Sequence, residues 1–397
     1  MLIRNTHRDY RAPLDPRDAE MLSIAGADEV ERFLACRPEY GATPLLALPG
    51  LARELGIGTL LVKDEGQRLG LGSFKALGGA YAVTRLALEQ AEQALGRTLG
   101  YRDLEAPDVR AVFEGLTFGC ATDGNHGRSV AWGAELIGAR SAIFVHAGVS
   151  AGRVAAIARY GAEMIRVDGT YDESVAEAAR VCAERGWIVV SDTSWPGYER
   201  IPGLVMQGYT AIVREAMRQM PEPPTHVFIQ AGVGGIAAAL AGHFAVLLGE
   251  QRPAMIVVEP ARAACIFETA RAGHPVKVPH GPATVMAMLE CYEPSALAWR
   301  VLERAADAFM TVEEDGAVAA MNRLARPRPG DPAIVAGESG GAGLAGLMRV
   351  AAEPSGRESL GLGPEARVLF VNTEGATDPV LYRQLTGLDA AEVGRRA

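Results

Sequence analysis

The chain has 397 residues, 49% hydrophobic and 22% charged, which is more apolar material and length than one core usually organises, so two globular domains are predicted. A formal charge of −9 with no dense run of Lys or Arg argues against nucleic acid as the partner and points to small molecules. Five scattered cysteines, Cys36, Cys120, Cys182, Cys265 and Cys291, lack CxxC spacing, which argues against a disulfide framework and a zinc site and leaves reduced, mostly buried thiols.

The N-terminal stretch MLIRNTHRDYRAPLDPRDAE carries charges throughout and no apolar run, so it does not read as a secretory signal, and a cytoplasmic location is expected. The first predicted strand is 59–65, followed by a glycine-rich turn and a helix over 76–89; the stretch 95–115 is charged and weakly patterned. Then come a helix at 127–137, a strand at 141–147, a helix at 154–160, a strand at 163–169, a helix at 171–185 and a strand at 188–192. A helix over 203–220 leads through PEPP (221–224) to a strand at 226–231, a helix at 236–248 and a strand at 254–260. A helix at 313–324, the connection RPRPGDP (326–332) and a strand at 367–373 complete the series. The run 227–249 is apolar enough to suggest a membrane span, but its glycine cluster and His243 favour a buried strand, loop and helix, and no membrane partner is expected.

Short β-branched runs, each followed by a glycine turn and an alanine-rich helix, are the signature of βαβ units, so the predicted class is α/β with parallel-rich sheets flanked by helices. The predicted division is a small domain at 90–190 and a large one made of 1–89 and 191–397. In such folds ligands sit at the carboxyl ends of the strands.

Three segments there could carry chemistry. Lys75, in GSFKALGGAYAV, opens a helix, where the positive end of the dipole disfavours an ammonium and could give the reactive amine of a Schiff-base lysine; a solvated surface lysine fits the same local pattern. In CATDGNHGRSVAW (120–132), polar residues and glycines lead into a helix whose N–H groups suit an anion such as a substrate carboxylate. Asn125 can bond a phenolate or hydroxyl, and Asp123 offers an acid or base, although it could equally be a plain helix cap. AGVGGIA (231–237) lets backbone approach a phosphate, but it also satisfies the G-x-G-x-x-A dinucleotide pattern, with Glu259 where a ribose-binding acid would stand, so a nicotinamide oxidoreductase is a rival reading.

SDTSWPGYE (191–199), GESGGAG (337–343) and VNTEGATD (371–378) follow strands or form glycine-rich turns that could line the same cleft. Asp192 reads as a half-buried carboxylate with a raised pKa or as a turn former. His126, His146 and His243 lack metal-ligand spacing, and no metal is expected.

Taken together, SFK at 73–75, TDGNHG at 122–127 and GVGG at 232–235 resemble the fold type II pyridoxal phosphate (PLP) enzymes, the two-domain tryptophan synthase β-like group. Within that group the chain is most similar to the diaminopropionate ammonia-lyase family, sharing FKxLGGAYA, ATDGNHGRxVAW, SDTxWxGYE, GESG and NTEGxTDP over nearly its whole length. The resemblance implies PLP as cofactor, with Lys75 as the Schiff-base lysine and Asp123 and Asp192 as catalytic aspartates. It assigns Phe74, Asn125, Gly232, Val233, Gly234, Gly235, Asn372 and Thr373 to the cofactor, and Thr122, Asp123, Gly124, His126 and Ser339 to an amino-acid substrate. The implied reaction is α,β-elimination from a β-substituted amino acid, most simply 2,3-diaminopropionate; serine or threonine dehydration and β-replacement are the alternatives, and a homodimer is the family expectation. The chain departs from the family pattern at Gly66, Gly72 and Asn372.

Overall fold

The computed structural model describes residues 1–395 apart from Glu39, Asp123 and Thr170. The strands, in chain order, are β1 (Leu2–Arg4), β2 (Leu45–Ala47), β3 (Thr59–Asp64), β4 (Thr117–Ala121), β5 (Arg140–His146), β6 (Glu163–Val167), β7 (Ile188–Val189), β8 (His226–Gln230), β9 (Ala254–Pro260), β10 (Ala308–Val312) and β11 (Arg367–Asn372). They form two sheets in two compact units. The larger unit is Met1–Ile24, Ala42–Phe74 and Ile212–Ala397; the smaller is Ala25–Gly41 and Lys75–Ala211.

The larger unit is built on a seven-stranded sheet in the order β1-β10-β9-β8-β11-β3-β2. Its five inner strands are parallel, and only the outermost, β1 and β2, run antiparallel to their neighbours. β8 and β10 are buried at every position, as their nearly continuous apolar runs require of strands covered on both faces. Helix Ala342–Ala352 lies so close to the sheet that a Cβ on Gly346 would fall 2.7 Å from Val258. The two edges are strands of three residues each, which limits the unpaired edge the sheet presents.

The smaller unit holds a wholly parallel sheet in the order β6-β5-β4-β7. Its helices Lys75–Leu95 and Asn125–Ile137 cross at small residues: a Cβ on Gly133 would lie 2.7 Å from Ala80 Cα, and Ala80 N donates to Ser129 Oγ at 3.1 Å. Gly208 makes a similar approach, since a Cβ there would fall 2.6 Å from Leu77 O. The chain breaks at this point into helices Arg200–Gly208 and Thr210–Gln219, where the sequence pattern predicts one helix over 203–220.

The unit boundary falls at 74/75 and 211/212 rather than at 89/90 and 190/191, because helix Lys75–Leu95 packs along its length on helices of the smaller unit. All seven predicted strands are present within a few residues, and four strands were missed. β4 (TFGCA) is interrupted by a glycine and ends in alanine, both depleted in strands, and its Gly119 is needed because a Cβ there would meet Cys182 Sγ at 2.4 Å. β1 and β2 are too short to show alternation, and β10 (AFMTV) continues an alanine-rich helix without a turn signal. The run 227–249 is β8, a turn and helix Gly235–Leu248, and no helix among the described residues is long and apolar enough to cross a membrane.

Candidate active site

Of the three lysines in the chain, two are committed elsewhere. Lys63 is fully buried and donates to Thr43 O, Glu215 and Gln219 at 2.6, 2.7 and 2.9 Å; Lys277 is exposed and lies 3.4 Å from Glu293. Lys75 is the first residue of helix Lys75–Leu95, is 21% exposed, and is paired with Asp192, itself 15% exposed. It is therefore the one lysine that opens a helix beside a carboxylate.

The pairing changes the expectation for Asp192. Burial pushes its carboxyl up, as the sequence suggested, but the adjacent Lys75 ammonium more than reverses this and holds it well below the usual carboxylate range. The predicted raised pKa is thus corrected: the group is a carboxylate that stabilises charge on Lys75. His126 lies in the same unit, 4% exposed, with Nε2 2.8 Å from Val190 O. A carbonyl only accepts, so Nε2 carries the hydrogen and Nδ1 is the bare nitrogen. Burial lowers the pKa of this ring, which keeps it neutral.

Asn125 and His126 are the first residues of helix Asn125–Ile137, with Gly124 at the cap. Two N–H groups expected to face an anion, those of Gly124 and Gly127, instead donate to Thr122 Oγ1 at 3.0 Å each, so buried Thr122 shapes the turn. Asp123 lies outside the described residues.

In the larger unit, Gly232, Val233 and Gly234 turn from β8 into helix Gly235–Leu248. Gly234 has φ +99°, a conformation side-chain-bearing residues avoid, and it leaves the helix N-terminus open to an anion. Glu259, proposed for a ribose in the rival reading, is fully buried with both oxygens taken, by Ile266 N at 2.9 Å and Phe267 N at 2.6 Å. It caps the next helix from within the core and presents no exposed atom to a dinucleotide; burial pushes its pKa up to about 8. That leaves the glycine turn without the acidic partner the dinucleotide reading requires.

The loops after β11 and before helix Ala342–Ala352 are tied together by a residue the sequence reading missed. Gln230, the last residue of β8 and fully buried, donates through Nε2 to Gly340 O and Thr373 Oγ1 at 2.7 Å and to Ser339 O and Val371 O at 3.2 Å. A polar side chain closing the apolar run Val227–Ile229, one residue before a glycine turn, was the available signal. Thr373 accepts that bond and keeps its own hydroxyl hydrogen to donate, while its carbonyl accepts from Phe74 N at 3.0 Å. Asn372 donates through Nδ2 to Asp64 Oδ1 at 2.7 Å and Val335 O at 3.1 Å, leaving Oδ1 buried without a hydrogen-bond partner. Ser339 is 1% exposed, and its Oγ accepts from Met288 N at 3.2 Å.

The two other departures from the family pattern have local reasons. Gly72 has φ +75°, and a Cβ on Gly66 would fall 2.9 Å from Asp64 Oδ1.

These groups fit a PLP-binding chain: a lysine at a helix start beside a carboxylate, a glycine-rich turn at a helix N-terminus, and a buried hydroxyl donor with an orphaned amide oxygen next to it in sequence. Comparisons with known proteins agree. The family model for "Pyridoxal-phosphate dependent enzyme" matches residues 36–374. The diaminopropionate ammonia-lyase of Escherichia coli (strain K12) is 41% identical over 352 residues, 87% of each chain. The crystal structure of the Escherichia coli enzyme in complex with an aminoacrylate-PLP azomethine reaction intermediate superposes with a TM-score of 0.87 at 38% identity, covering 97% of this chain and 96% of that one. A biosynthetic L-threonine dehydratase of Salmonella typhimurium is more distant, 28% identical over 85% of this chain and 58% of its own length. The chain belongs to the pyridoxal-phosphate dependent enzymes of fold type II and, within them, to the diaminopropionate ammonia-lyase family.

Proposed function

We propose that this chain removes the β-amino group of 2,3-diaminopropionate as ammonia, releasing aminoacrylate, which takes up water to give pyruvate and a second ammonia. The observation that carries the reading is the Lys75–Asp192 pair, in a chain 41% identical to a diaminopropionate ammonia-lyase. Lys75 would hold the cofactor's carbonyl carbon, Gly232 to Gly235 its phosphate, Asn125 its phenolic oxygen, and Thr373 with Asn372 its ring nitrogen, with Phe74 beside Lys75 in the chain. When bound, PLP supplies an electron sink that makes the Cα proton of an amino acid removable.

The chain's own residues then move that proton. The Lys75 amine takes it, and the Asp192 carboxylate stabilises the ammonium that forms. The same ammonium, kept aligned by Asp192, gives the proton to the departing β-nitrogen. Asp123 is the second base, serving the enantiomer whose proton lies on the other face, and Thr122, Gly124, His126 and Ser339 complete the substrate side. A carboxylate here also favours a substrate with a second ammonium over one with a hydroxyl. The same reading carries a homodimer acting in the cytoplasm.

The test is pyruvate release from 2,3-diaminopropionate, serine, threonine and cysteine on one preparation. Diaminopropionate should turn over fastest by a wide margin; equal or greater turnover of serine refutes the assignment. Lys75→Ala should lose the visible absorption band formed on adding PLP, and a retained band removes Lys75 from its role. Asp123→Asn should bind cofactor normally yet lose most turnover with one enantiomer.

A further inference from the structure

Asp192 lies three residues past the end of β7, the edge strand of the smaller unit's sheet, so its position depends on how the Val189–Ser191 backbone is held. Successive residues of a strand direct their N–H and C=O groups to opposite edges. On the inner side, Val190 N donates to Gly119 O of β4 at 2.8 Å, and where β4 ends, Val190 O is met by His126 Nε2 at 2.8 Å. On the outer side there is no further strand among the described residues, yet Val189 O and Ser191 N are both satisfied by one atom. The Tyr198 hydroxyl donates to Val189 O at 2.8 Å and accepts from Ser191 N at 3.0 Å. A hydroxyl can do both at once and so stands in for the missing strand's peptide group. The peptide planes joining Val189 to Val190 and Val190 to Ser191, one residue short of Asp192, are thereby fixed at all four polar atoms.

The tyrosine is itself held. Its ring stacks on Trp195 with centroids 4.2 Å apart at 12°, and its N donates to Trp195 O at 2.9 Å, closing a turn in which Gly197 takes φ +87°. The loop that follows β7 thus folds back to clamp the strand from which it starts.

We propose that Tyr198 is a positioning residue for the reaction: its hydroxyl bridge holds the Val189–Ser191 backbone so that the Asp192 carboxylate stays against Lys75. The proposal rests on the catalytic reading of Asp192 made above. Tyr198→Phe keeps the ring and its stacking and removes only the bridge.

The experiment is a double-mutant cycle on the PLP-loaded enzyme with Tyr198→Phe, Asp192→Asn and the double variant, together with hydrogen exchange at the Ser191 amide in both the cofactor-free and loaded protein. Tyr198→Phe should lower kcat for 2,3-diaminopropionate about tenfold, as expected for losing two hydrogen bonds, with KM within about twofold. In the Asp192→Asn background it should cost nothing further, and Ser191 exchange should speed up about tenfold or more in either form. An equal loss of kcat in both backgrounds, or unchanged kcat despite faster Ser191 exchange, overturns the positioning role while leaving Asp192 in place. Wild-type kcat in Asp192→Asn alone overturns the Asp192 reading and the Tyr198 proposal with it.

Discussion

Glu215→Gln is expected to weaken the larger unit severely, and in a pH-dependent way. Glu215 is 2% exposed and its carboxylate receives Lys63 Nζ at 2.7 Å, Arg68 Nη1 at 2.7 Å, Arg68 Nη2 at 2.8 Å and Thr43 N at 3.1 Å. Glu65 takes Arg68 Nε and Nη2 at 2.7 Å and Thr43 Oγ1 at 2.6 Å, so two buried cations face two buried carboxylates. Replacing one carboxylate by an amide leaves an uncompensated buried positive charge, and breaking such a set costs about 3–5 kcal/mol. The amide still accepts one bond, which places the expected loss near 3 kcal/mol at pH 7. Burial already pulls the Lys63 amine below its usual value against the opposing pull of Glu215 and Glu65, and removing Glu215 takes it lower. The folded variant then releases the Lys63 proton while the unfolded chain keeps its own, so folding gains as pH rises and the deficit should shrink between pH 7 and pH 9. Urea unfolding followed by circular dichroism at the two pH values measures this as a midpoint shift on the order of 1 M or more. A loss below about 1 kcal/mol, or a deficit that grows with pH, refutes the reasoning; adding Lys63→Met should recover much of it.

Two further outcomes follow from the larger unit. Gly234→Ala places a side chain at φ +99°, 3.0 Å from Ile266 Cδ1 and 3.1 Å from Ala298 Cβ, so PLP affinity should fall at least about tenfold in an absorbance titration; unchanged affinity removes this turn from the phosphate cradle. Glu259, raised from the usual 4.5 to about 8, stays protonated in the folded chain while the unfolded chain ionises, so its contribution is complete below 4.5 and is lost as pH rises to about 8. The wild type should therefore lose stability relative to Glu259→Gln across that window, by up to about 1.4 kcal/mol per pH unit, and a pH-independent difference between the two would contradict it.

Much of this protein was legible in its sequence because the signals are local. Glycine turns between apolar strands and alanine-rich helices gave the parallel α/β class, and Lys75, TDGNHG and GVGG each stand at a strand-to-helix junction, the place such folds use for ligands. Strand β4 escaped because its residues are chosen for close packing against Cys182 and not for strand propensity, and the unit boundary at Lys75 depends on contacts of Gly133 and Ser129 that are remote in sequence. The protonation of Asp192 was misjudged for the same reason. Its carboxyl has an apolar strand behind it, which suggests a raised pKa, but the ammonium that reverses the shift comes from a residue 117 positions away. Likewise the acid at Glu259 looked like a ribose ligand until both its oxygens were found capping the next helix, Gln230 carried no motif at all, and Tyr198 stood within SDTxWxGYE without any sign of what its hydroxyl bonds. Short-range pattern determined which elements form and which residues stand at their ends. Charge, hydrogen-bond completeness and the partners of each buried polar atom were decided only when the chain closed on itself, because those depend on distance in space and not on spacing along the chain.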